Sequence, residues 1–299
     1  MLIIAFCISI KNCPKTVSIK QAPEIKLYLS RENCTINLPL EDYIKGTVAA
    51  EMPANFALEA LKAQAVCART YTLKKILDEK KYPKGADVSD DIYSCQAYIS
   101  SAEFKHRNPQ NYKILWDKIT KAVQATSGQI MIYNGEPIDA LYHSTCGGRT
   151  ESAANAWGQD IPYLRSVSCN YCQESKYYQS CQVFSKQDLE EFESLELGNT
   201  ISLSISERSS TGRVKKLKIN NLFVSGEKFR QILNLPSTNW EFSSAQGKLI
   251  VNSRGYGHGV GLCQYGANGM ARAGADYRSI LKHYYCHFDF CQLQWETNK

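Results

Sequence analysis

The chain has no internal repeat and no low-complexity linker, which argues against a solenoid or a string of tethered modules. It lacks any run of basic residues interleaved with aromatics, so nothing points to nucleic-acid binding. No Gly-Lys-Ser/Thr phosphate loop is present, nor a glycine fingerprint opening a strand-to-helix unit, which removes the usual nucleotide motifs. The longest apolar run, Met1 to Ile10, is too short for a membrane span. Positive charge is in small excess, at net +6, which fits an acidic polymer or an envelope surface without demanding one.

What remains is an ordinary globular composition, 43% apolar over 299 residues, enough to bury one large core or two smaller ones. Tyrosine is plentiful, at 18 against 10 phenylalanines; tyrosines stack on sugars but also sit half-buried in strands. Lys11, Asn12, Cys13 and Pro14 follow the apolar start, in the manner of a signal peptide or anchor without its basic leader. Residues 1–14 therefore predict export to the cell envelope, with an N-terminal anchor as an option and a buried first strand as the alternative. Twelve cysteines are consistent with export and some disulfide pairing; in a cytosolic chain they would favour metal. Cys67 with Cys95, and Cys286 with Cys291, are the default pairs.

Residues 15–39 read as strands, with alternation at Ile25, Leu27 and Leu29. Two helices follow, divided at Pro53, the second from about Ala54 to Leu77. A helix is expected over Tyr112–Thr126, ended by Gly128. Gln129–Tyr133 and Ala140–His143 suggest a hairpin about Asn134-Gly135. Residues 183–250 look like short strands between polar turns, a smaller strand-rich subdomain interrupted by a helix at Gly226–Leu233. A last helix spans 276–285. The mixture predicts an irregular, strand-rich α+β fold with a few helices around a central cleft.

Glu51 stands out in this pattern. On a helix, Leu40, Tyr43, Ile44, Thr47 and Val48 share one face, Glu51 falls in its middle, and Asp42 and Lys45 point away. An acid on an apolar face, at a helix C-terminus whose dipole opposes negative charge, is expected to hold its proton to higher pH. General-acid chemistry needs such a group. A half-exposed acid at a frayed helix end fits the same pattern. Lys62 and Arg69 share the Leu58/Ala65 face of the next helix, where they would either grip a substrate near Glu51 or snorkel from the core.

Two further segments carry chemistry. His143-Ser144-Thr145-Cys146 and Cys169-Asn170-Tyr171-Cys172 offer two close ligand pairs of the kind tetrahedral zinc takes, giving His143, Cys146, Cys169 and Cys172, with Cys181 as a substitute for the histidine. A complete protein shell would make the zinc structural; a Cys169–Cys172 or Cys146–Cys172 disulfide is the alternative. In Gly255-Tyr256-Gly257-His258-Gly259-Val260-Gly261, alternating glycines permit positive φ and close backbone approach, and His258, Gln264 and Tyr265 would line a sugar site or, for His258, brace a tight corner.

Taken together, Glu51-Met52-Pro53-Ala54, the run from Glu59 to Tyr71, His143 to Gly148, Gly255 to Ala267 and Tyr284-Tyr285 resemble the SpoIID/LytB-domain family over about residues 25–290. The chain departs from it in having Cys146 and Cys263 where some relatives have Ser, and Cys286–Cys291 where relatives often have Pro-Gly. The resemblance implies a catalytic domain over 15–299 that acts as a peptidoglycan lytic transglycosylase, cleaving MurNAc–GlcNAc bonds to 1,6-anhydroMurNAc products. Glu51 would then be catalytic. Lys62, Gln64, Arg69, Tyr142, Ser144, His258, Gln264 and Tyr265 would contact the glycan strand. Such proteins serve sporulation, cell division or other wall processes. The LytB half of the family implies the alternative, a non-catalytic glycan binder that enhances a cell-wall amidase, and the cysteines alone would also suit a secreted structural protein.

Overall fold

A computed structural model describes residues 16–19, 21–185, 187–188, 202–220 and 222–295; the apolar segment 1–14 lies outside them. The architecture is α+β and strand-rich, and the chain forms two compact units, one of residues 142–269 and one of the residues on either side of that stretch.

In the first unit, β1 (Thr16–Ile19), β2 (Glu24–Leu29) and β3 (Cys34–Pro39) lead into α1 (Leu40–Glu51) and α2 (Leu58–Leu77). After β4 (Val88–Ser89) come α3 (Ser101–Arg107), α4 (Tyr112–Ala125), β5 (Gln129–Tyr133) and β6 (Glu136–Pro137). One sheet has the order β3-β2-β4. The other, β1-β15-β5-β6, is completed by β15 (Asp289–Trp295) from the C-terminal end.

The two helices form where the sequence pattern puts them. Leu40, Tyr43, Ile44, Thr47 and Val48 are all buried, as their shared face requires, while Lys45 and Asp42 pair at the surface. Pro53 stops α1, and α2 resumes only after a turn in which the Phe56 N–H bonds the Pro53 carbonyl. From Ala60 to Leu73, α2 is buried nearly all round, which marks it as the central helix of the unit. Its alanines, Ala60, Ala63, Ala65 and Ala68, let neighbouring elements approach closely.

Arg69 sits inside this packing. Its guanidinium is fully buried and grips Glu41 through two bonds, Nε to Oε1 at 2.9 Å and Nη2 to Oε2 at 2.6 Å. A third bond runs from Nη1 to the Gln129 carbonyl, and Glu41 also accepts the Gly128 N–H. One forked ion pair thus ties α1, α2 and the start of β5 together.

The second unit opens with β7 (Tyr142–His143), α5 (Ala153–Trp157) and β8 (Ser180–Phe184). β9 (Leu203–Arg208), β10 (Val214–Ile219), β11 (Leu222–Ser225) and α6 (Gly226–Ile232) follow, then β12 (Trp240–Ala245), β13 (Lys248–Ser253) and β14 (Leu262–Cys263). Antiparallel sheets β11-β10-β9 and β12-β13-β8 enclose a core of Val214, Leu217, Ile219, Phe229, Trp240 and Val251. α7 (Gln264–Arg272) leads back into the first unit, where α8 (Tyr277–Tyr284) precedes β15.

Two expectations need correction. Asn134-Gly135 does turn a hairpin, but β5 pairs with Glu136–Pro137. Tyr142–His143 instead pairs in parallel with β14, because those residues belong to the second unit. The default disulfides are also absent: among the described residues no cysteine pair is oxidised to a disulfide, and Cys67 contacts the Tyr285 hydroxyl instead, with burial pushing its thiol up to about 12.

Replacing Glu41 by Gln would leave the Arg69 charge buried without its counter-charge. Urea denaturation should show a loss of about 3 kcal/mol, the usual cost of breaking such a pair.

Candidate functional site

Glu51 is the last residue of α1 and is half-buried. Its Oε1 accepts the Ala97 N–H at 2.6 Å. That donor comes from the loop between β4 and α3, which lies directly on α1. Gly46 makes the approach possible, since a Cβ there would stand 2.2 Å from the Tyr98 ring and 2.7 Å from the Ile99 carbonyl. Tyr98 stacks on Tyr43 with ring centroids 5.8 Å apart, and the Ile99 N–H bonds the Gly46 carbonyl. Burial, then Cys95, raises the Tyr43 hydroxyl above its ordinary range, and Tyr71 is raised by burial too; the charge of Glu51 contributes to both. The acid therefore stands beside two phenols that stay protonated at neutral pH.

The other residues expected in this unit are placed differently. Arg69 cannot reach a ligand, because it is fully buried and committed to Glu41 and Gln129. Gln64 is likewise buried within α2. Lys62 is nearer the surface, but its Nζ pairs with Glu59 at 2.6 Å and lies over the Tyr277 ring.

In the second unit four sulfurs converge. Cys146, Cys169, Cys172 and Cys263 are buried, and their Sγ atoms all lie within 4.8 Å of one another. Cys146 and Cys172 are 3.5 Å apart at sulfur, a contact between free thiols. Backbone geometry brings them together. Thr145 and Tyr256 bridge antiparallel, and Cys263 pairs with His143 in the β7–β14 ladder. Gly255 lies so close that a Cβ would meet the Thr145 carbonyl oxygen at 2.5 Å, and its φ is +82°. The Cys169 N–H bonds the Gly148 carbonyl, which fixes the Cys-x-x-Cys knuckle on the same strip.

This donor set fits a soft or borderline dication. Tetrahedral sulfur ligation at a metal–sulfur distance of about 2.3 Å implies sulfurs roughly 3.8 Å apart. The Cys263 sulfur accepts the N–H groups of Cys146 and Gly266 at 3.2 and 3.3 Å and lies 3.7 Å from the Ser144 carbonyl. Hydrogen bonds from Cys146 and Cys169 push the Cys172 thiol below its ordinary value, while bonds to Cys169 and Cys172 push Cys146 up and burial pushes Cys263 up. Four neighbouring sulfurs cannot all ionise together without a cation. Arg213, 3% exposed, donates to the Cys146 carbonyl at 3.0 Å and sets a positive charge beside them.

His143 is not among the converging ligands; Cys263 takes the fourth position, and Cys181 is exposed elsewhere in the unit. The Val260 carbonyl can only accept, so the 3.1 Å contact places the His143 proton on Nδ1; Nε2 is buried with no hydrogen-bond partner among the described residues. His258 is the corner brace: Nε2 donates to the Tyr142 carbonyl, and Nδ1 accepts the Val260 N–H. Burial lowers His258 to about 4 and takes His143 well below its ordinary value, so both rings are neutral at pH 7. Ser144 is half-buried against the Thr145 hydroxyl, Tyr142 and Tyr265 are half-buried, and Gln264 is buried.

Residues 29–133 match the family described as SpoIID, stage II sporulation protein. Stage II sporulation protein D of Bacillus subtilis (strain 168) is 37% identical over 272 residues, covering 90% of this chain and 79% of that protein. The chain belongs to the stage II sporulation protein D family. The Bacillus amyloliquefaciens protein of the same name is 34% identical over 278 residues, covering 92% of this chain and 81% of its own length. An amidase enhancer of Bacillus subtilis (strain 168) is 30% identical over 298 residues, 81% of this chain, which spans only 39% of that relative. The SpoIID match contains Glu51 and its Ala97 donor but none of the four clustered cysteines.

Sequence reasoning did not reach Ala97, Arg213 or Cys263 in these roles. The one available signal was for Cys263, a cysteine directly following the glycine-rich run. Changing Gly255 to Ala should force the two strips apart. We expect at least about 1 kcal/mol lost in urea denaturation, the usual minimum for Ala at positive φ.

Proposed function

We propose that this chain is a peptidoglycan lytic transglycosylase of the cell envelope, with Glu51 as its acid and base. The observation that carries the reading is the Glu51 carboxylate, half-buried and oriented by the Ala97 N–H within the family-matched residues. Protonated Glu51 gives its proton to the glycosidic oxygen between MurNAc and GlcNAc, and the C1–O bond breaks. The carboxylate then takes the proton of the MurNAc C6 hydroxyl as O6 bonds to C1. The product is 1,6-anhydroMurNAc, the acid ends reprotonated, and no water is consumed. One carboxylate suffices, unlike the two that glycoside hydrolysis ordinarily uses. In the unit that holds Glu51, Lys62 at the surface of α2 remains as a glycan contact in this reading.

The cysteine cluster holds zinc in this proposal, through Cys146, Cys169, Cys172 and Cys263. Bound zinc would supply cross-linking of the second unit, since four sulfurs leave no open position for water. Its separation in sequence from the matched residues agrees with a structural role.

The similarity to an amidase enhancer favours a second reading, a glycan binder that stimulates a wall amidase without cutting glycan itself. Mass spectrometry of products from peptide-free glycan strands separates the two. The transglycosylase releases anhydro-sugars, and Glu51→Gln should cut the rate by at least about 100-fold with an unchanged circular-dichroism spectrum. An active Gln variant would remove Glu51 from the role. Strand binding and amidase stimulation with no anhydro product would establish the enhancer instead.

Metal analysis should find about one zinc per chain. Cys263→Ser and Cys169→Ser should lower both zinc content and melting temperature, and His143→Gln should leave zinc content unchanged.

A further inference from the structure

Directly before Ala97, the loop between β4 and α3 carries a side chain that the acid–base chemistry leaves unused. Gln96 is 3% exposed, and a buried amide must find its partners inside the protein. Its Nε2 donates to the Thr72 hydroxyl oxygen at 3.0 Å and to the Tyr43 hydroxyl oxygen at 3.4 Å. Thr72 stands on α2 and Tyr43 on α1, and both are fully buried. The seat has a polarity. The Thr72 hydroxyl gives its own proton to the Ala68 carbonyl at 2.7 Å, so its oxygen is left to accept. That fixes the glutamine with its nitrogen toward the helices. A carboxylate at position 96 would match the shape but have no proton to offer.

The consequence lies one bond farther along the chain. The N–H that meets Glu51 at 2.6 Å belongs to the peptide unit joining Gln96 to Ala97, and a peptide unit is a rigid plane. Gln96 fastens the near end of that plane to both helices. The far end is fastened to α1, by the Tyr98 ring on Tyr43 and by the Ile99 N–H, which bonds the Gly46 carbonyl at 3.3 Å. Upstream, the Cys95 N–H bonds the Asp91 carbonyl at 2.8 Å, and the Asp91 carboxylate accepts the Tyr93 N–H and the Ser94 hydroxyl. The chain therefore reaches Gln96 out of a closed turn. Without the glutamine amide, the peptide would be clamped at its far end and loose at its near end.

We propose that Gln96 is a positioning residue for Glu51: its amide, seated between Thr72 and Tyr43, holds the Gln96–Ala97 peptide in the orientation from which the N–H meets the carboxylate. The effect on catalysis rests on the transglycosylase reading above; the placement of the carboxylate does not. Because Gln96 is buried, its loss should slow the chemical step and leave substrate binding intact. The test uses two full-length variants. Gln96→Met keeps the length of the side chain and removes both donors, and Thr72→Val removes the acceptor from the opposite side. In the parent, the NMR signal of the Ala97 amide proton should shift as Glu51 titrates. Loss of that shift in Glu51→Gln separates it from effects of neighbouring Cys95, Tyr43 and Tyr71. In Gln96→Met and Thr72→Val the shift should be largely lost. With peptide-free glycan strands, kcat for anhydro-sugar release should drop roughly tenfold in each at unchanged KM, the upper worth of a neutral hydrogen bond. The double variant should be no slower than the poorer single one, since both changes break the same bond. Melting temperatures within a few degrees of the parent confirm that the variants fold. A full Ala97 shift in both variants, or a rate loss carried by KM, would overturn the proposal. Should the parent release no anhydro-sugar, the transglycosylase reading fails, and the Ala97 shift still decides whether Gln96 places the carboxylate. Should Glu51→Gln be inactive while Gln96→Met keeps its full rate, the reading stands and the proposal fails.

Discussion

The backbone N–H of Ala97 holds the Glu51 carboxylate at 2.6 Å, and the packing of α1 brings the two together. The donor lies in an irregular loop, which would have no reason to sit still on its own. It is held because Gly46 lets the chain lie against α1 and because Tyr98 stacks on Tyr43. α1 is itself anchored by the forked Arg69–Glu41 pair. A buried ion pair of this kind is weak as a net source of stability but exacting about geometry, since either charge alone would be costly. The acid is thereby placed by packing rather than by its neighbours in sequence.

The second unit solves a different problem. Four cysteines spread from position 146 to 263 must meet at one point. The chain achieves this by laying two glycine-bearing strips backbone to backbone, with Gly255 against Thr145 and Cys146. The alternating glycines around His258 thus have a structural task, and His258 braces the same corner through both ring nitrogens. Arg213 adds a buried positive charge next to sulfurs that repel one another when ionised. Its own burial lowers its affinity for its proton, and nearby Glu151 counters that. Glu151 is in turn secured by the Ser209 and Thr211 hydroxyls and the Asn155 amide.

Legibility followed the range of the interaction. The face of Leu40, Tyr43, Ile44, Thr47 and Val48 was visible because a helix repeats every 3.6 residues, and all five are buried. The break at Pro53, the helix over 112–125 and the turn at Asn134-Gly135 rest on equally local rules. The failures involve distant partners. Arg69 shares a helix face with Lys62, yet its role is set by Glu41, 28 residues away. His143 and Cys263 are about 120 residues apart, and only the folded positions of their ligand atoms show that it is Cys263 that joins the other cysteines. The default disulfides failed for the same reason: spacing along the chain does not say which thiols meet.

By itself the sequence determined the α+β class, the positions of the main helices, the place of Glu51 at the end of α1 and three of the four converging cysteines. Each depends on periodicity, turn chemistry or ligand spacing within a few residues. Only the tertiary structure decided that the Ala97 N–H meets the acid, that Arg69 is an internal tie, that Cys263 completes the sulfur set, and that the Gln96 amide reaches both α1 and α2. These follow from which segments pack together, and packing is a property of the whole chain's buried surface and backbone hydrogen bonds, which no local window contains.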